Sequence, residues 1–137
     1  MTKIYLIRHA EAEGNLYRRI QGHWDGSITP LGLQQIDALA QRFRHEHIDT
    51  LYCSNLSRAR VTAEAITRYH DVPAVATPRL AEIRMGVWEG RAWGDVEHEF
   101  PEQMRYFNTD PDRWSVPGCE PFRDVQKRMT RAIQDLA

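Results

Sequence analysis

Lysine is nearly missing from this chain. Lys3 and Lys127 are the only two, so positive charge rests almost wholly on arginine. Arginine's planar fork suits phosphate and carboxylate oxygens, although genome composition explains such a bias equally well. Cysteine is scarce too: Cys53 and Cys119 form no CxxC pattern, which excludes a disulfide framework and makes a reducing compartment the default. No positively charged lead precedes a long apolar core, and no apolar run approaches membrane-spanning length. A charge imbalance is also missing, at a net −1, so no global basic field drives nonspecific nucleic-acid binding. These absences leave a cytoplasmic protein with no membrane or nucleic-acid partner as the expectation. There is no internal repeat, low-complexity tract or interdomain linker. A chain of 137 residues reads as one domain spanning 1–137, which buries roughly two-thirds of its unfolded surface. Its 42% hydrophobic and 27% charged fractions are those of a globular chain.

In the first fifteen residues, the apolar run Ile4-Tyr5-Leu6-Ile7 ends abruptly in Arg8-His9, then a polar turn with Gly14 and Asn15. This pattern predicts a buried strand delivering two functional side chains to its tip, where open α/β sheets place ligands. A polar, glycine-containing loop follows through Gln21, Gly22 and Asp25. Thr29-Pro30 then starts a helix, with threonine as cap and proline at the first helical position; Ile36, Leu39, Ala40 and Phe43 mark its buried face. Asp49 to Ser54 reads as a strand, and Ser57 caps a helix through about Tyr69 with Val61, Ala65, Ile66 and Tyr69 inward. Pro73 to Thr77 is a third strand candidate. Residues 80–93 are irregular yet apolar and charged, as in a loop packed over a site. A short helix is expected from Trp93 to Glu99. Pro101, Pro111, Pro117 and Pro121 then punctuate a mostly irregular region, before a closing helix with Phe122, Val125, Met129, Ile133 and Leu136 on one stripe. Strand and helix alternate, giving an α/β class with a mainly parallel sheet.

Two strand tips converge in this arrangement. One carries Arg8 and His9; the other is followed by Ser54 and by Arg58 in the first turn of a helix, whose free N–H groups and positive dipole end favour an anion. Two guanidinium groups beside them make an oxyanion pocket, to which Asn15, Gln21 and the backbone at Gly14 and Gly22 add neutral donors. Other groupings carry less. His45-Glu46-His47 lies near a helix end with no third metal ligand in view, His98 sits in a surface helix, and Trp88 and Trp93 read as packing.

Leu6-Ile7-Arg8-His9-Ala10-Glu11 resembles the Arg-His-Gly signature of the histidine phosphatase superfamily, in the branch containing phosphoglycerate mutases and broad-specificity phosphatases. The likeness extends over Asn15, Gln21-Gly22, Thr29 to Gly32, Ser54 to Ala59 with Thr62-Ala63, Leu80 to Glu82, and Gly86-Val87-Trp88-Glu89-Gly90. It implies a three-layer α/β/α fold with a mainly parallel sheet. It further implies that His9 is a nucleophile forming a phosphohistidine, that Arg8 and Arg58 clamp the phosphoryl group, and that Glu82 donates and later accepts the proton. Asn15, Gln21, Gly22, Arg60, Ile83, Arg84 and Met85 are the implied substrate-binding residues. No metal or cofactor is implied, and the partner is a small phosphorylated metabolite. An unperturbed histidine titrates near ~6.5, and the flanking arginines are expected to favour its neutral form.

The chain departs from the family pattern in two places. Pro117-Gly118-Cys119-Glu120-Pro121 stands where relatives commonly carry a Gly-Glu-Ser type segment. The second catalytic histidine, followed by glycine after a later apolar strand, has no counterpart through Ala137. The resemblance therefore implies a domain missing its C-terminal part, weak or inactive by itself, with an unpaired strand that leaves self-association open. Phosphomonoester hydrolysis is the expected activity. Phosphoglycerate mutation is the near alternative, and a noncatalytic phosphate-binding module is the alternative from another class.

Overall fold

The computed structural model describes residues 2–137. Helix α1 (Glu13–Leu16) is a single turn. Helix α2 (Pro30–Phe43) begins where expected: the Thr29 side chain accepts a hydrogen bond from the Gly32 amide at 3.0 Å, and Pro30 occupies the first turn. Strand β1 (Leu51–Ser54), helix α3 (Ser57–Thr67) and strand β2 (Ala74–Thr77) form a β-α-β unit. The strands are parallel, with Leu51 opposite Ala74 and Ser54 opposite Thr77. Ala10, Ile36, Ala40 and Ala65 pack together where α2 meets α3. The α/β class and the parallel pairing stand; among the described residues the sheet has two strands.

A second core forms from the chain beyond Leu80. Here Ile20, Ile83, Met85, Trp88, Val96, Met104, Tyr106, Trp114 and Val116 are buried together. Trp88 is 0% exposed and packs against the rings of Phe100, Phe107 and Trp114, with centroids 5.5–6.2 Å away. Burying a tryptophan removes roughly 150–250 Å² from water, worth roughly 4–6 kcal/mol of transfer free energy. This cluster pins the 83–88 segment beneath the loop that carries Gln21 and Gly22.

Five expectations need correction, the first being the cap of α3, where Ser57 is the first helical residue and Leu56 holds the cap position with no side-chain bond. The opening segment is extended but belongs to no strand, and Leu6 is 92% exposed and Ile4 61%; a strand needs a laddered neighbour, and none of the described residues supplies one. It is anchored by side chains instead. Tyr5 stacks edge-on to Phe43 and donates its hydroxyl to Glu46. The region after Glu99 is not mostly irregular, because α4 (Trp93–Glu99) is followed at once by α5 (Pro101–Thr109). Pro101 occupies the first turn, where its missing N–H costs nothing, so it starts a helix rather than breaking one. Helix α6 (Phe122–Leu136) forms as expected, but its stripe is not fully covered: Ala132 is its buried residue and Ile133 is exposed. Its neighbours are the short turns Pro78–Leu80 and Pro111–Arg113, too small to cover about four helical turns. Tyr69 faces outward past the end of α3, its hydroxyl accepting from Gln41 and its ring lying under Arg44.

Candidate active site

His9 lies at the end of the extended opening segment, half-buried. The next residue fixes it. The Ala10 amide donates to Thr62 Oγ1 at 2.9 Å, and the Thr62 hydroxyl donates to the Arg58 carbonyl at 2.7 Å. One threonine thereby joins the His9 segment to α3. His9 Nδ1 is 2.7 Å from the Ala10 carbonyl oxygen. A carbonyl only accepts, so Nδ1 carries the proton and Nε2 keeps a free lone pair. Burial is the main cause pulling the His9 pKa below its ordinary value; Arg58 and Arg8 pull the same way, against the Ala10 hydrogen bond and the Glu82 carboxylate. The arginines act in the expected direction, but desolvation outweighs them.

Arg58 is the buried cation of the site, 2% exposed. Its Nη2 donates to the Gly22 carbonyl at 2.8 Å, and Nη1 lies 3.3 Å from the Trp24 carbonyl and 3.4 Å from Asp25 Oδ1. Asp25 changes the expected use of α3. Its carboxylate accepts from the amides of Ser57 at 2.5 Å and Arg58 at 3.4 Å, so this helix start is occupied by the protein's own anion rather than left open. Arg8 is exposed, and its charge reaches His9 from the solvent side.

The Gln21–His23 loop lies against Arg58, which bonds the Gly22 carbonyl. Gly22 has φ +50, and a Cβ there meets Glu89 Oε1 at 2.6 Å and the Ile83 carbonyl at 3.0 Å; only glycine fits without strain. The Glu89 carboxylate accepts from the amides of His23 at 3.0 Å and Met85 at 2.8 Å, stapling this loop to the 83–85 segment. Gln21 packs its side chain on Gly14, and its buried Oε1 has no partner among the described residues. Asn15 is exposed; its Oδ1 accepts from the Ala12 amide at 3.0 Å, which leaves its NH₂ free to donate.

Glu82 is exposed, with Oε1 accepting from the Ile83 amide at 2.9 Å and its backbone carbonyl 2.8 Å from His23 Nε2. Ile83 and Met85 are core residues whose side chains pack in the aromatic cluster. Arg84 is exposed. Arg60 is exposed on the β1 side, where its charge acts on Cys53. Arg8, Arg58 and Glu82 thus lie within electrostatic reach of His9, with Gly22 bonded to Arg58 through its carbonyl. Sequence reading missed His23, Asp25 and Glu89, each tied to the site by long-range hydrogen bonds that no local spacing announces.

The sequence pattern of the histidine phosphatase superfamily (branch 1) matches residues 4–137. Phosphoserine phosphatase 1 of Hydrogenobacter thermophilus is 32% identical over 136 residues, 99% of this chain and 64% of that protein. The probable phosphoglycerate mutase GpmB of Yersinia pestis is 32% identical over 133 residues, 97% of this chain and 62% of that one. Among solved structures, Bacillus stearothermophilus YhfR superposes with a TM-score of 0.88 at 32% identity, covering 94% of this chain and 64% of its own. The chain therefore spans somewhat less than two-thirds of the length of these relatives. A match that runs from the segment bearing His9 through α6 leaves one family for this fold and site: the chain belongs to the histidine phosphatase superfamily, branch 1.

Proposed function

We propose that the chain carries phosphomonoester hydrolysis through a phosphohistidine on His9. The geometry that supports this best is the Ala10 carbonyl 2.7 Å from His9 Nδ1, which places the proton there in the neutral ring that burial favours and leaves Nε2 its lone pair. The Nε2 lone pair forms a bond to phosphorus while the bond from phosphorus to the ester oxygen breaks. Protonated Glu82 gives its proton to that leaving oxygen. Water then attacks phosphorus, Glu82 takes the water's proton, and the N–P bond breaks with its electron pair returning to the ring. Buried Arg58 and exposed Arg8 offset charge on the phosphoryl oxygens during both transfers. A small phosphorylated metabolite is the substrate class. The phosphatase name of the Hydrogenobacter relative favours hydrolysis.

The test is to trap labelled phosphate from a labelled phosphomonoester. An acid-labile phosphoprotein is expected from the chain and not from His9→Ala; label that is absent, or that persists in the variant, overturns the reading and favours a binding module. The mutase name of the Yersinia relative supports a second reading, phosphoryl transfer between phosphoglycerates. Incubation with 3-phosphoglycerate and a bisphosphoglycerate primer separates the two, since hydrolysis releases phosphate and mutation yields the isomer.

A further inference from the structure

The segment carrying Glu82 has little secondary structure of its own. After the turn Pro78–Leu80, residues 81–84 run without helix or ladder and Met85 makes a single antiparallel bridge to Cys119, so the remaining backbone groups need partners from elsewhere. A single side chain on α6 supplies several. Arg128 Nη1 donates to the carbonyls of Ala81 at 2.8 Å and Arg79 at 3.1 Å, and Nη2 lies 3.5 Å from the Glu82 carbonyl. The same guanidinium is forked onto Glu120, with Nε to Oε1 and Nη2 to Oε2 both at 2.7 Å.

Glu120 is tied to the same segment. Its carboxylate lies 3.4 Å from the Arg84 amide, and its own amide donates to the Arg84 carbonyl at 2.9 Å. Both side chains are largely withdrawn from solvent, 24% and 18% exposed. Such a bidentate pair fixes geometry as well as charge. The hydrogen bond to Arg128 holds the Glu120 carboxyl below its usual range, so the pair stays ionised. His23 Nε2 also reaches the Glu82 carbonyl. The Glu82 carbonyl is therefore held by two side chains while its carboxyl group remains exposed.

We infer that Arg128 is a positioning residue for Glu82, with Glu120 holding Arg128 in place. The inference rests on the acid role proposed above for Glu82. An acid that protonates a leaving oxygen and later deprotonates water needs a fixed backbone and a side chain free to exchange its proton. A displacement of about 1 Å costs about 100-fold in such an arrangement.

The test compares turnover of p-nitrophenyl phosphate, whose leaving group needs little protonation, with that of glycerol phosphate, whose leaving group needs it. Glu82→Gln is expected to lose about 100-fold or more in kcat on glycerol phosphate and far less on the aryl ester. Arg128→Gln is expected to show the same leaving-group pattern at smaller amplitude, about 10-fold on glycerol phosphate, in kcat rather than KM. Adding it to Glu82→Gln is expected to give no further selectivity. Glu120→Gln, which keeps the guanidinium, is expected to follow in weaker form, and it carries the test if Arg128→Gln fails to fold. Equal losses on both esters for Arg128→Gln, or a change mainly in KM, overturns the inference while leaving Glu82 as acid. Equal losses on both esters for Glu82→Gln overturn the acid reading itself and the inference with it.

Discussion

Asp25 and Arg58 meet twice: Asp25 Oδ1 is 3.4 Å from Arg58 Nη1 and also 3.4 Å from the Arg58 amide. One carboxylate thus neutralises both the buried guanidinium and the start of the helix that carries it. On the function proposed above, an arriving phosphate competes with it. Asp25→Asn keeps hydrogen-bonding capacity but removes the charge, so inorganic phosphate is expected to bind about 3–10-fold tighter, in line with the strength of helix-end charge interactions. Folding stability is expected to fall by about 1 kcal/mol. Calorimetric titration with phosphate checks the first; unchanged or weaker affinity refutes it.

Thr62→Val keeps the shape of a buried side chain and removes the hydroxyl that joins Ala10 to the Arg58 carbonyl. The Ala10 amide loses its partner, at a cost of about 1–3 kcal/mol in urea unfolding. His9 loses its tether as well, so the single-turnover rate of phosphoenzyme formation is expected to drop more than the affinity for inorganic phosphate does. A loss in stability alone would show that Thr62 does not set the position of the nucleophile.

Acid should unfold the chain partly through His9. Its pKa in the folded state lies below its ordinary value, chiefly from burial, so the folded ring binds fewer protons than the unfolded one. Stability from this residue is therefore present above the unfolded value of ~6.5 and is lost as pH falls through the folded value. Urea midpoints of the wild type and His9→Gln, followed against pH, are expected to converge or cross in the acid direction as the wild type loses this contribution. Parallel curves across that window sink the prediction.

Two glycines should respond in opposite directions. Gly22→Ala places a Cβ at φ +50 against Glu89 Oε1 and the Ile83 carbonyl, which is expected to cost about 1–3 kcal/mol and to disturb the Arg58 contact to Gly22. Gly94 in α4 has nothing within 4 Å of such an atom, and Gly94→Ala is expected to gain up to about 1 kcal/mol from helix propensity. Thermal melts of the two variants are the measurement.

The elements legible in the sequence were those whose signals are local. Thr29-Pro30 set the start of α2, Trp93 to Glu99 were correctly read as a helix, and the strands 51–54 and 74–77 were found within two residues of their ends. The opening apolar run Ile4-Tyr5-Leu6-Ile7 reads as a buried strand, but with no ladder partner among the described residues it forms none and Leu6 stays exposed. Pro101 misled because proline both breaks helices and starts them, and Phe100 just before it gave no capping signal. In the candidate site, the expected residues all come from local motifs, and the residues bonded to them from a distance do not. Asp25 reaches α3, Glu89 reaches Met85 and His23, and Arg128 reaches Ala81 across 47 positions of chain.

The tethering of the opening segment has a mechanical consequence. Tyr5 is fastened to the end of α2 through Phe43 and Glu46, and Ala10 is fastened to α3 through Thr62. His9 sits between these rivets, tied on either side to helices that pack on each other. Substitutions at the seam those helices share, such as Ile36 or Ala65, are therefore expected to shift His9 from a distance.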